Sequence, residues 1–302
     1  MNPSNTVVAP DHAGSVGRLI DLLDVERLED NLFRGQSTNA GWERVYGGQV
    51  VAQALMAASK TVAEGRLCHS LHSYFIRPGD PAHPIVYNVE RDRDGQSFTT
   101  RRVVAIQKGR PIFNMAASFQ VPESGLNHGF PLPDVPAPET LRSDAEWAAI
   151  NADRTPEPFK TMWTIRERPI EFRAVDYVDP FDPVVMPPRA RHWCRAAAPF
   201  DVTEPVARAL FAYASDMTIL DTCLQPHAIA WWDSQLQVAS LDHSIWFHAT
   251  PDLNDWLLMD QDSPSAAGGR GMNRGIVYSR AGAVVANIVQ EGLVRYRQAA
   301  SD

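Results

Sequence analysis

Three residues carry groups that together can activate a water molecule: a carboxylate at Asp216, a hydroxyl at Ser240 and a carboxamide at Gln290. Asp216 stands in LFAYASDMTIL (210–220), where an ionised acid loses hydration unless several donors replace the water. A carboxylate in such a place is a candidate general base, and a hydroxyl and an amide can hold and polarise the water it deprotonates. Taken singly, each residue has a plainer reading. Asp216 can cap a turn, Ser240 can satisfy a strand backbone, and Gln290 can face solvent.

What sets the three apart is a repeat. VAQALMAAS (51–59) matches VARALFAYAS (206–215), LHSYFIR (71–77) matches DHSIWFH (242–248), and GRPIFNMAASFQ (109–120) matches GAVVANIVQEG (282–292). Three co-linear matches in one order indicate a duplicated domain. Laid string on string, Asp216 falls on Thr61, Ser240 on His69 and Gln290 on Ala117. The trio therefore belongs to the second copy alone, one residue on each of three elements expected to pack together.

Each copy needs a scaffold that can bring such residues into contact. The first matched segment is Ala-rich and apolar around most of its turn, which describes a buried helix. The other two are rich in β-branched and aromatic residues and are punctuated by turns such as RDG (93–95) and KGR (108–110), so they read as hairpins. SFTTRRVVAIQKGRPIFNMAASFQV in the first copy and RGIVYSRAGAVVANIVQEGLVRY in the second read as paired antiparallel strands. The expected fold class is α+β: two tandem domains, each a long helix wrapped by a curved antiparallel sheet.

Residues 122–188 hold 12 of the 23 prolines, and PLPDVPAPE (131–139) reads as an extended surface linker. WTIRERPIEFRAVDYVD alternates as the first strand of the second copy. The expected division is 1–121, a linker at 122–159, and 160–302 with the trio. Ahead of both copies, RLIDLLDVERLEDNLFRGQS (18–37) reads as an amphipathic surface helix, with acids where a membrane-surface helix would carry lysines.

Composition excludes several classes. A formal charge of -8 and a pI near 5.6 argue against nucleic-acid binding. No apolar run approaches the ~20 residues of a membrane span, and no secretory leader or peroxisomal tripeptide is visible, so a cytoplasmic protein without membrane insertion is expected. Cys68, Cys194 and Cys223 are odd in number and widely spaced, as reduced thiols would be. No GxSxG, HExxH, Walker loop or paired-cysteine metal site occurs, and GGRGMNRG (268–275) leads into a strand pattern, which makes it a turn. His69 and His72 fall on opposite strand faces, wrong for a shared metal. No metal and no cofactor is called for.

At these residues the chain resembles the acyl-CoA thioesterase II family of double-hotdog enzymes. The blocks that carry the resemblance are NLFRGQS, YGGQVVAQAL, HSLHSYFIRPGD, DGQSFTTRRVVAIQKGRPIFNMAASFQ, SDMTIL, LDHSIWFH and VQEGLVR, spread over nearly the whole chain. The resemblance implies two hotdog domains, an acyl-CoA substrate, further association into a homo-oligomer, and catalytic roles for Asp216, Ser240 and Gln290. Asp216 would act as general base on a water held by Ser240 and Gln290, without a covalent intermediate. Some relatives carry Thr at the Ser240 position, a change that keeps the hydroxyl. Backbone amides near GGQ (47–49) are candidate oxyanion donors. Two rivals stay open: a hotdog 2-enoyl-CoA hydratase or dehydratase using His69 or His243, and a non-enzymatic acyl-CoA-binding protein.

Overall fold

The computed structural model describes residues 11–38, 43–157, 159–160 and 167–297. Helix α1 (His12–Leu23) starts where Asp11 accepts the Gly14 amide and buries Val16, Leu19 and Leu23. It ends earlier than the amphipathic stretch suggested. The chain turns into β1 (Glu26–Glu29) and β2 (Leu32–Gly35), because ERLE and LFRG pair with each other as strands.

Helix α2 (Gly47–Ser59) is buried at every residue from Gly48 to Ala58, as its lack of a hydrophilic face requires. Its two glutamines are satisfied inside the core. Gln49 donates to the Gln36 carbonyl at 2.9 Å, and Gln53 donates to the Leu22 carbonyl at 2.6 Å while accepting from Tyr87 at 2.7 Å. Strands β3 (Leu67–Phe75), β4 (Ile85–Asp94), β5 (Phe98–Gln107) and β6 (Arg110–Gln120) complete the first half, and α2 lies against all four. The KG step joining β5 to β6 has φ of 50° at Lys108 and 71° at Gly109, the left-handed pair that a two-residue hairpin needs.

The proline-rich segment runs over the outside of the second half. Leu132 and Val135 pack against buried Trp193, Trp256, Leu258 and Tyr278, and the Trp193 indole donates to the Pro136 carbonyl at 3.0 Å. Its later part is not extended: Ser143 and Glu146 form a capping box that starts a short helix α3 (Asp144–Ile150). The expected strand at the head of the second copy is β7 (Ile170–Ala174) alone, with residues 161–166 outside the described residues. There follow β8 (Arg189–Ala196), helix α4 (Glu204–Ser215), β9 (Leu236–Ser240), β10 (Asp242–Phe247), β11 (Leu257–Ala267), β12 (Arg270–Ser279) and β13 (Val284–Tyr296). The apolar run after α4 leaves the helix at Asp216 and continues as a 3-10 stretch at Leu220–His227.

The strands form one sheet in the order β1-β2-β4-β5-β6-β3-β10-β13-β12-β11-β8-β7, with β9 continuing beside β13. Read from either end, the order is the same sequence of equivalent strands. The halves meet at the antiparallel β3–β10 pair, where Ser244 faces His72 and Ile245 faces Leu71. Helices α2 and α4 pack on each other, and the Tyr46 hydroxyl donates to the Tyr213 carbonyl at 2.8 Å, tying the start of α2 to the end of α4. The helices therefore run antiparallel, and the first half lends its helix start to the second half's helix end.

Candidate active site

The end of α4 places Asp216 as the residue closing the helix, 9% exposed, beside the first turn of α2. Gln290, on β13, is fully buried and donates from Nε2 to Asp216 Oδ1 at 2.5 Å. Ser240 closes β9 and directs its hydroxyl at the same Oδ1, at 3.5 Å. The fold therefore brings all three sequence-predicted residues around one carboxylate oxygen.

The start of α2 comes in from the other half, and its Gly48 amide faces the Asp216 carboxylate and lowers its pKa. This gives the Gly47–Gly48 step a different use from the expected oxyanion donors. A Cβ on Gly47 would lie 2.7 Å from Asp216 Oδ2, and one on Gly48 would lie 2.5 Å from the Tyr213 carbonyl. Glycine is what lets the helix start approach so closely, and the positive end of α2 then faces the carboxylate. Burial is the main influence on Asp216 and pushes its pKa up to about 6, against the lowering effect of Gln290, Gly48 and Ser240. The acid is thus ionised at neutral pH yet basic enough to take a proton.

His243 was missed as part of the trio's surroundings. It is fully buried on β10, its Nδ1 lies 3.0 Å from Gln290 Nε2, and its Nε2 lies 2.9 Å from the Ser215 hydroxyl. Burial holds its pKa down to about 4, so the ring is neutral. His69 bonds Ser118 at 2.8 Å. Neither histidine bonds a carboxylate, the pairing that a hydratase would use.

Strand register corrects the comparison of the two copies. With Gln290 set against Ala117, pairing to the neighbouring strands puts Leu71, not His72, in the place of His243, and Cys68, not His69, in the place of Ser240. The shared letters His-Ser had pulled the string match out of register by one residue, which exchanges the faces of a strand. The same register sets Arg101 against Asn273, each paired with the residue on the next strand that is Ala117 in one half and Gln290 in the other. Arg101 is 1% exposed and donates to the Thr61 hydroxyl at 2.8 Å and the Thr61 carbonyl at 3.0 Å. A guanidinium, paired with Asp94 at 2.6 Å, fills the first copy's counterpart of the centre, where the second copy has the buried Asp216 carboxylate.

A fused pair of halves, each a helix on an antiparallel sheet, defines the double-hotdog class, and here a carboxylate, a hydroxyl and an amide meet at the junction of the two helices. A family model described as acyl-CoA thioesterase matches residues 159–293, and one described as acyl-CoA thioesterase N-terminal domain matches residues 36–120. Acyl-CoA thioesterase 2 of Haemophilus influenzae is 39% identical over 94% of this chain and 99% of its own length. Acyl-coenzyme A thioesterase 8 of Homo sapiens is 38% identical over 93% of this chain and 90% of its own. Among solved structures, the acyl-CoA thioesterase II TesB2 of Mycobacterium marinum superposes with a TM-score of 0.75 at 36% identity, covering 93% of this chain and 99% of that one. This chain belongs to the acyl-CoA thioesterase family.

Proposed function

We propose that this chain hydrolyses acyl-CoA thioesters to a carboxylic acid and free CoA, with Asp216 as the general base. What carries the reading is the convergence of Gln290, Ser240 and the Gly48 amide on the one buried carboxylate. Asp216 takes a proton from water as the water oxygen bonds to the thioester carbonyl carbon. Collapse of that adduct breaks the carbon–sulfur bond, and the thiolate leaves with little acid help, its conjugate acid having a pKa of about 8.5 in the cysteine analogue. Gln290 Oε1, buried and without a protein hydrogen-bond partner, accepts the second water proton as a hydrogen bond. The Ser240 hydroxyl holds the water from the other side.

The acyl chain is assigned to a cavity of about 270 Å³ whose wall includes Trp147, Phe172, Tyr177, Tyr213 and Met217. Tyr213 and Met217 flank Asp216, and Trp147 stacks on Tyr177 at 3.7 Å. Of the two aromatic residues on α4, Tyr213 lines this cavity. Phe211 instead sits in the core against Phe247.

A thiol-release assay across an acyl-CoA length series tests the reading. Stoichiometric thiol and acid support it, loss of an enoyl chromophore with the thioester intact favours a hydratase, and binding without turnover favours a carrier. Two further results are expected. Because the base must be ionised, kcat/KM falls about tenfold per pH unit below a pKa of about 6 and levels off above it, as a rate–pH profile would show. Ser240→Ala and Gln290→Ala each lower kcat, and the double variant loses less than the product of the two, because both act on one water.

The same reading treats 1–121 and 160–302 as the two halves joined by 122–159, in a cytoplasmic protein of fatty-acyl metabolism. The unpaired, buried Cys68, Cys194 and Cys223 suit a reducing compartment. Among the described residues no helix is long and apolar enough to cross a membrane. Exposed Leu126, Phe130, Val184 and Val185 suit coverage by a second chain, and light scattering on the purified protein reads that association directly.

A further inference from the structure

We propose that His243 is a positioning residue for the reaction, acting by fixing which end of the Gln290 carboxamide meets Asp216. The inference rests on the reading of Gln290 as a residue that holds the attacking water. A terminal carboxamide has two nearly isosteric orientations that differ by exchange of nitrogen and oxygen. In one, Nε2 faces the Asp216 carboxylate. In the other, Oε1 would face it, acceptor against acceptor, and the nitrogen would occupy the place from which Oε1 serves the water.

The hydrogen-bond directions along this row determine the choice. The Ser215 hydroxyl donates to the Ala212 carbonyl at 3.0 Å within α4, so its single proton is committed. Ser215 Oγ must then accept from His243 Nε2, 2.9 Å away, which places the imidazole proton on Nε2. Nδ1 is left as an acceptor 3.0 Å from Gln290 Nε2, and it takes one amide N–H while Asp216 Oδ1 takes the other at 2.5 Å. Both amide protons are consumed, and Oε1 is the atom left for the water. Ser215, His243 and Gln290 are each 0% exposed, so bulk water cannot substitute for a missing member.

The row is also anchored at both ends. Ser215 immediately precedes Asp216 on α4, so the helix that presents the base also sets the histidine tautomer. The His243 backbone carbonyl accepts from the Ser73 hydroxyl at 2.7 Å across the β3–β10 junction, which holds the strand carrying the ring against the first half. In the first copy the register equivalent of His243 is Leu71, and that of Gln290 is Ala117. Histidine and amide occur together in one half and are absent together from the other.

The test is a double-mutant cycle with a conservative rescue, read on the full-length enzyme with an acyl-CoA substrate. His243→Leu removes the acceptor at similar volume and is expected to lower kcat by about 10-fold to 100-fold with KM within about twofold. His243→Asn, whose Oδ1 can stand in for Nδ1, is expected to recover kcat to within about fivefold of wild type. On a Gln290→Ala background, His243→Leu is expected to change kcat by less than about twofold. In wild type the ¹⁵N spectrum of His243 should show the neutral Nε2–H tautomer, and Ser215→Ala, a small change within a helix, should release that preference. The proposal is overturned if His243→Leu lowers kcat equally with and without Gln290, if both His243 variants act alike, or if Nδ1 carries the proton in wild type. A Gln290→Ala enzyme with wild-type kcat would instead remove the water-holding role of Gln290, and this inference with it.

Discussion

Asp216→Asn lowers kcat by about 10²–10⁴-fold while the protein remains folded. The substitution keeps the side chain's size, and its one oxygen can still accept from Gln290 and Ser240, so the geometry at the end of α4 persists. What it removes is the proton acceptor. Thiol release under saturating acyl-CoA measures the loss, and a kcat within about threefold of wild type would end the general-base assignment.

A stability gain accompanies that loss. Burial raises Asp216 from 3.8 to about 6 in the folded chain, so the folded state binds the proton more tightly than the unfolded state does. A group of that kind contributes its full stability below pH 4 and loses it as the pH rises through about 6. At pH 7 the wild type therefore carries the cost of a buried charge, and Asp216→Asn does not. The variant should unfold at higher denaturant than wild type at pH 7, by up to about 3 kcal/mol. The difference should vanish near pH 4, and comparing the two proteins at each pH cancels the other titrating groups.

Gly48→Ala lowers kcat/KM by about 10²-fold. A Cβ there would sit 2.5 Å from the Tyr213 carbonyl and 2.6 Å from the Tyr46 ring, and the carbonyl belongs to the backbone of α4 and cannot rotate away. The start of α2 must retreat, taking the Gly48 amide off the Asp216 carboxylate. Loss of a donor to the ionised form raises the carboxyl pKa, so the acid limb of the rate profile should move above pH 6 as the maximum falls. Gly17→Ala is the control, because a Cβ there meets nothing within 4 Å in helix α1. An unchanged profile in Gly48→Ala would show that the helix start does not set the basicity of Asp216.

Much of this arrangement was legible in the residues. The buried helices, the hairpin at Lys108–Gly109 and the turn at Gly268–Gly269 were readable as local pattern, and the trio at Asp216, Ser240 and Gln290 by laying one copy of the repeat on the other. His243 was not. The likeness of the two strings sets it opposite His72, which hides it among residues common to both copies, although strand register sets it opposite Leu71. Helix α3 was lost in the surrounding prolines, though Ser143 followed three residues later by Glu146 is a readable capping signal. Arg101 as the plug of the first copy's counterpart centre carried no signal beyond a charged residue in a strand.

The sequence by itself determined the duplicated domain, the element types of the matched segments and which three polar residues stand in one copy alone, because periodicity, composition and the likeness of two strings are properties of the residues in order. The tertiary structure alone decided three further things. It joined the halves through β3 and β10, ran α2 and α4 antiparallel so that a glycine amide of one half meets the acid of the other, and oriented the row from Ser215 to Asp216. Each depends on register and hydrogen-bond direction between segments far apart in the chain. Those are fixed by mutual packing and by the need to pair every buried donor, and no short window of residues encodes either.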